Sequence, residues 1–298
     1  MTAAPWLWAV FTVIAAAAQT VRNAAQRELT AKLGTVGATH VRFLFGLPFA
    51  LIFLAGIILV SGAALPHPGP TFWPWVLLGA LMQIAATALM LLAMGKRSFV
   101  VAIAYIKTEP IQVALFGLIF LSDHVTPAVG AAILIATAGV VVMSFKPGTL
   151  AGGIKPTLIG LSSGGCFALS AIGYRGAILS LHDANFVMAA TFTVVTGLAV
   201  QTALLTAYLL ARDRAVLRAI FRAWRPSMFA GVMGALASQF WFLGFATATA
   251  ASVRTLALVE VLFAQAISRF VFKQPTTARE GVGIVLIVVG VALLVWAY

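Results

Sequence analysis

Residues 108–139 read TEPIQVALFGLIFLSDHVTPAVGAAILIATAG. Two apolar runs flank one short polar turn at 122–127, and the first run holds an acid, Glu109. Extended to their polar limits, the runs cover 98–121 and 126–145. Each is about the 20 residues that a helix needs to cross a bilayer. The pattern returns 151 residues later: Glu109 falls on Glu260, Thr126 on Thr277, Gly130 on Gly281, Ile133 on Ile284 and Gly139 on Gly290. Identity elsewhere between the halves is low, so the match rests on the mid-span acid and on the glycines of the next helix.

The rest of the chain has the same character. Of 298 residues, 62% are apolar and 9% charged, with a mean hydropathy of +1.07. Soluble domains carry about 25% charged residues, so a soluble globular enzyme and a disordered protein are both excluded. Apolar runs predict ten spans: 6–22, 35–60, 72–94, 98–121, 126–145, 156–178, 185–210, 227–247, 252–272 and 278–297. The expected fold is an all-α integral membrane protein. Its ten helices form two five-helix repeats, 1–150 and 151–298. A unit with an odd number of spans enters the membrane upside down in its second copy, and inverted repeats with a site between them typify secondary transporters. No Lys or Arg precedes Trp6; without a positive n-region, span 1 reads as a retained helix and not as a cleaved signal peptide.

Charge is distributed to one side. Loops after spans 1, 3, 5, 7 and 9 hold 14 of the 19 Lys and Arg: Arg22, Arg27, Lys32, Lys96, Arg97, Lys146, Lys155, Arg212, Arg214, Arg218, Arg222, Arg225, Lys273 and Arg279. The loops on the other side hold His67, His124 and His182 instead. The positive-inside rule puts the odd loops in the cytoplasm and both termini outside a plasma (inner) membrane. The net charge of +12 is thereby a membrane signal, with the 212–225 stretch touching anionic lipid, and no nucleic-acid partner is expected. The lone Cys166 excludes an intramolecular disulfide.

The stretch Thr108-Glu109-Pro110, the turn that follows, and Gly130 through Gly139 resemble the ends of both halves in the drug/metabolite transporter superfamily, most closely the ten-span EamA-type exporters. The second copy around Glu260, through Glu280-Gly281 to Gly290, is similar, as is Arg42-Phe43-Leu44 early in span 2. The resemblance covers nearly the whole chain. It implies efflux of small metabolites. The sequence departs from the family in three places. Ser122-Asp123 and Lys273-Gln274 stand where Gly-Glu is common, and the loop at 61–71 carries no Lys or Arg. In addition, the family habit of cytoplasmic termini opposes the orientation read from the local charges.

Chemistry has few carriers. The sequence has no phosphate-binding glycine loop, no zinc signature and no nucleophile elbow, so neither enzyme activity nor a cofactor or metal is expected. An ionisable residue inside a span costs at least about 2.5–3.5 kcal/mol on insertion scales and marks a pathway or a partner. By the spans above, Lys107, Glu109 and Glu260 lie near mid-membrane. His40 and Arg42 lie a turn or two inside span 2, and Arg254 lies at the outer end of span 9. Arg22 and Arg175 lie near span ends, free to snorkel. Lys107 is about 200° round the helix from Glu109, so these two are not partners and one of them meets another helix. Glu260 either pairs structurally with Arg42, Lys107 or Arg254 or lines a cavity as a titrating carboxylate. Its wholly apolar flanks make it the preferred proton carrier. Glu109, with Tyr105 and Gln112 on its face, is expected to be held structurally. Gln83, and Trp241 as an aromatic wall, complete the candidate substrate and coupling residues.

These residues predict a secondary exporter of a small-molecule substrate, either a zwitterion or a weak anion such as an amino acid, driven by protons. Lipophilic cations or drugs are the alternative substrates, and a membrane enzyme acting on a lipid-linked substrate is the alternative of another class. Membrane lipids are the other partner, and the chain is read as a monomer or homodimer.

Overall fold

The computed structural model describes residues 4–96, 106–144, 154–270 and 277–297. Among them all regular structure is helical. Helix α1 is Leu7–Leu44, α2 Gly46–Ser61, α3 Phe72–Lys96, α4 Glu109–Phe120, α5 Pro127–Ser144 and α6 Ile154–Leu179. Then follow α7 Phe186–Arg212, α8 Arg214–Arg222, α9 Trp224–Thr247, α10 Ala250–Leu256, α11 Val259–Phe270 and α12 Ala278–Trp296. Among the described residues, six segments are long and apolar enough to cross a membrane: Leu7–Ser61, Phe72–Met94, Thr157–Leu179, Phe186–Arg212, Trp224–Thr247 and Ala278–Trp296. Glu109–Phe120 and Pro127–Met143 are apolar but shorter. The outer surface is apolar as well, with Leu59 84% and Val60 91% exposed. Water does not tolerate such a surface in bulk, and lipid does.

The first segment is a hairpin. Gly34 breaks α1 with φ +68°, a left-handed conformation that costs an L-residue with a side chain about 1–2 kcal/mol. Gln26 Nε2 donates to the carbonyl of Ala38 at 2.8 Å. In a straight helix those residues would stand about 18 Å apart at 1.5 Å per residue, so the chain reverses at Gly34. The break falls where spans 1 and 2 were expected to part. The first arm, however, runs well beyond the expected limit at residue 22, because Arg22, Arg27 and Glu28 lie inside the helix.

Helix α8 packs on this turn. Ile220 is buried, and a Cβ at Gly37 would lie 2.9 Å from Val216 Cγ1, while Arg214, Arg218 and Arg222 recur every four residues. The amphipathic α8 thus joins the loop after span 7 to the turn after span 1, at one end of the bundle. At the other end, residues 66–71 meet residues 180–183 across a shallow cleft.

Helices α5 and α12 pack antiparallel through glycine. A Cβ added at Gly139 would lie 2.7 Å from the Gly283 carbonyl oxygen and 2.8 Å from the Ile287 nitrogen. One added at Gly290 would lie 2.9 Å from the Ala132 carbonyl oxygen and 2.6 Å from the Ala136 nitrogen. Subtracting 151 from 290, 283 and 287 gives 139, 132 and 136, so the two contacts exchange under the offset read from the sequence. Neither helix can carry a side chain at these positions without separating the pair, which is how small residues let membrane helices approach.

The turn between α4 and α5 holds a strained position. Ser122 adopts φ +52°, the backbone conformation that glycine takes most easily. Asp123 accepts from Arg175 Nη2 at 3.2 Å. Arg175 also donates Nη1 to the carbonyl of Phe245 at 2.7 Å and to that of Ala248. It therefore ties α6 to the α4–α5 turn and to the end of α9, and the expectation that it is free to snorkel does not hold.

Candidate functional site

Two of the spans expected from the sequence, the fourth and the ninth, are broken, and their breaks face each other. The first break is at Lys107-Thr108, just before α4. Pro110 in the first turn of α4 has no N–H to return to the carbonyl of Ile106. That carbonyl rests against α6 at Gly164, where a Cβ would sit 3.0 Å from it. The second break is at Ala257-Leu258, between α10 and α11, with no proline. Here 3₁₀-type bonds carry the chain through: Leu258 N to the Thr255 carbonyl at 3.0 Å and Glu260 N to the Ala257 carbonyl at 3.1 Å. Each break is followed at once by a glutamate, at the start of α4 and in the first turn of α11.

The breaks are joined by reciprocal ion pairs. Lys107 Nζ contacts Glu260 Oε1. Arg254 Nε lies 3.1 Å from Glu109 Oε1. All four side chains are 5–7% exposed. Lys107 and Glu109 are not partners, as the helical wheel required, and both reach the other broken span. Arg254 is not at an outer end. Helix α10 begins at Ala250 and is buried throughout, so Arg254 stands one turn before the break, inside the protein.

A second ring supports these pairs. Gln19 Nε2 approaches Glu260 Oε2 at 3.4 Å, and Trp241 Nε1 donates to Gln19 Oε1 at 3.1 Å. Trp241 is buried, and the Arg254 guanidinium sits 4.4 Å from its ring centre and 5.4 Å from that of Phe245. Glu260 thus has more partners than its apolar sequence flanks implied, because Lys107 and Gln19 come from distant helices. Gln112, expected beside Glu109, instead approaches Thr108 Oγ1 at 3.5 Å, and its Oε1 faces Gly165. Tyr105 lies outside the described residues.

Arg22 is the residue the sequence reading missed. It is 1% exposed and stands near the middle of the first arm of α1. Its Nη2 donates to Asn23 Oδ1 at 2.7 Å, while Nε and Nη1 have no hydrogen-bond partner among the described residues. Arg42 lies beside it. A Cβ at Gly234 would be 3.4 Å from Arg22 Cδ and 3.5 Å from Arg42 Cβ, so α9 yields space to both arginines there. Arg42 Nη1 donates to Thr87 Oγ1 at 3.1 Å. The signal was present: Gln19, Arg22, Asn23 and Gln26 follow the i, i+3, i+4, i+7 spacing of one helical face.

Gln19, Arg22, Asn23, Lys107, Glu109, Arg254 and Glu260, with apolar Met90, Ile106 and Phe167, line a common cavity of about 10 Å³. That is room for about one water, so the cluster is closed in this conformation. Arg22, Arg42, Lys107 and Arg254 stand against Glu109 and Glu260, a formal excess of two positive charges. Two expected residues lie elsewhere. His40 Nε2 is 3.0 Å from Thr206 Oγ1. Gln83 accepts from Gln201 Nε2 at 2.9 Å, which also reaches the Tyr174 hydroxyl at 2.9 Å. This buried network holds α3, α6 and α7 together. Thr87 links it to the cluster: its hydroxyl donates to the Gln83 carbonyl at 2.8 Å and accepts from Arg42 Nη1.

No family model matches the sequence, and no curated protein matches it. The fold is found among solved structures. One described as "Crystal structure of protein" aligns over 97% of this chain and 99% of its own, with a TM-score of 0.68 at 16% identity. The likeness is one of fold alone.

Proposed function

We propose that this chain is a secondary active transporter of small metabolites, an exporter of the EamA type within the drug/metabolite transporter superfamily, and not an enzyme. The observation that carries the reading is the pair of broken spans, each with a glutamate at its break, held together by ion pairs that cross between them. Discontinuous helices meeting near the midplane are where secondary transporters bind substrate and coupling ion. The ten-span inverted repeat is supported by two further features. The Gly139 and Gly290 contacts exchange at the sequence offset, and the helices that carry them run antiparallel, as an inverted copy requires. In this reading, residues 1–150 and 151–298 are the two halves.

The closed cluster is the resting state. Opening to one side separates Lys107 from Glu260 or Arg254 from Glu109. A released carboxylate takes a proton from that side, and the freed cation is available to substrate. Each half-cycle therefore exchanges an internal ion pair for a proton and a ligand. Small zwitterions and weak anions fit this exchange. Lipophilic cations fit it less well, because the face of Trp241 that would receive one already carries Arg254. The loop charges favour both termini outside an inner membrane, with the face bearing Gly34 and α8 in the cytoplasm.

The test is transport in proteoliposomes under an imposed pH gradient, using a mixture of labelled amino acids and organic acids. Parent protein accumulates at least one of them, and Glu260→Gln inserts normally but no longer responds to the gradient. Gradient-driven transport equal to that of the parent would remove Glu260 from coupling and leave it a structural ion-pair partner.

A further inference from the structure

We infer that the ligand of this cluster is a net-negative organic carboxylate, and that Arg22 is the group that holds it; the inference rests on the transport reading above for its route into the site. Arg22 is buried within the bundle, yet three of a guanidinium's five N–H donors, those on Nε and Nη1, have no partner among the described residues. Buried polar groups are ordinarily satisfied, and one that is not calls for an explanation. Its near neighbours do not provide one. Asn23 takes only Nη2, Glu260 is engaged by Lys107 and Gln19, and Glu109 by Arg254. Arg42 adds like charge on the other side.

The two excess positive charges set the sign of what is missing. An anion carrying one charge leaves the site at +1, and one carrying two leaves it neutral; a zwitterion changes nothing. Guanidinium matches a carboxylate in shape and donor spacing. Met90, Ile106 and Phe167 on the same cavity wall give an apolar surface for a short carbon skeleton, which inorganic phosphate does not have. The ligand enters only when the broken helices part, since the closed cavity holds about one water.

Removal of Arg22 separates a ligand group from a structural one. A structural arginine destabilises the protein when removed. An unsatisfied one does not, because its loss also removes a buried uncompensated charge. Purified full-length protein in detergent is unfolded thermally, followed by tryptophan fluorescence, with four probe sets: short mono- and dicarboxylates, amino acids, the methyl esters of both, and inorganic phosphate. The free carboxylates are expected to raise the midpoint by about 3 °C or more at saturation, dicarboxylates most, with esters and phosphate inert. Arg22→Gln is expected to unfold no lower than the parent and to lose the carboxylate shift. Arg22→Lys, which keeps the charge without the planar fork, is expected to bind about tenfold more weakly.

The inference is overturned if no carboxylate shifts the parent, if esters or phosphate shift it equally, or if Arg22→Gln binds within about twofold of it. A midpoint for Arg22→Gln well below the parent, with Arg22→Lys binding unchanged, also overturns it. Counterflow in liposomes separates the two proposals. Carboxylates that bind through Arg22 but do not cross leave this site standing without transport. Transport of amino acids indifferent to Arg22→Gln leaves transport standing without this site.

Discussion

Removing one side of the Lys107–Glu260 pair must cost more than removing both. Lys107→Met leaves Glu260 in surroundings 7% exposed, with Gln19 at 3.4 Å as its other partner. Breaking a buried ion pair by deleting one member costs about 3–5 kcal/mol. At an unfolding entropy of about 2.1 cal/mol/K per residue, a kcal/mol moves the midpoint of a 298-residue chain by about 1.6 °C, so Lys107→Met is expected to lower it by about 5–8 °C. Glu260→Gln leaves an ammonium facing an amide oxygen and is expected to lose about half as much, because a hydrogen bond to a charged group survives. The double variant removes both charges, and replacing a buried pair by groups of similar volume is often neutral or stabilising by about 1–4 kcal/mol. It should therefore return to within a few degrees of the parent. The assay is a thermal double-mutant cycle in one detergent, repeated with Arg254→Met and Glu109→Gln as the second pair. Losses that simply add, within about 0.5 kcal/mol, would mean the residues do not interact. The joined-break description of the site would then be wrong.

Other expectations follow from single contacts. Gly139→Ala and Gly290→Ala should each destabilise the protein, and by similar amounts, since each Cβ meets backbone at 2.6–2.9 Å; thermal midpoints that differ widely would break the equivalence of the two contacts. Ser122→Gly should stabilise by up to about 1 kcal/mol, because Ser122 holds φ +52°, and an unchanged or lower midpoint would count against strain at that turn. Gly34→Ala should destabilise by about 1–2 kcal/mol with little packing change, since nothing lies within 4 Å of its Cβ position. A C-terminal reporter active only on the outer side is expected from the loop charges, and a cytoplasmic signal would reverse the orientation.

The sequence was most readable where chemistry and geometry coincide. Pro110, which has no N–H for the carbonyl of Ile106, is a sign of the break before α4 that the sequence carries openly. The offset that sets Glu109 on Glu260 matches two breaks, each followed by its acid. The break at Ala257-Leu258 carried no such sign, because 3₁₀ bonding satisfies the backbone there without proline. Arg22 looks in the sequence like the polar end of an apolar run, yet it lies inside α1. Its helix continues because Gln19, Asn23 and Gln26 turn inward on the same face, while Leu29 and Leu33 are buried after them. Partner choice was the least legible property. Lys107 with Glu260, and Arg254 with Glu109, are separated by about 150 residues, and only the packing of the two broken spans decides between them.

The hairpin closed at Gly34 also fixes an order of events during synthesis. Arg22 and Arg42 both ride on it, and each is made well before any acid of the cluster. The first of those acids, Glu109, follows 67 residues after Arg42, and the second, Glu260, another 151 residues later. Until Glu109 is made, the nascent protein therefore holds two arginines in the membrane with no acid of the cluster present, at about 2.5–3.5 kcal/mol each on insertion scales. A chain that stops short of residue 260 leaves Lys107 without its partner and lacks the pair that closes the site. Truncated products should thus be recognised by membrane quality control as unfinished, however many of their spans have inserted.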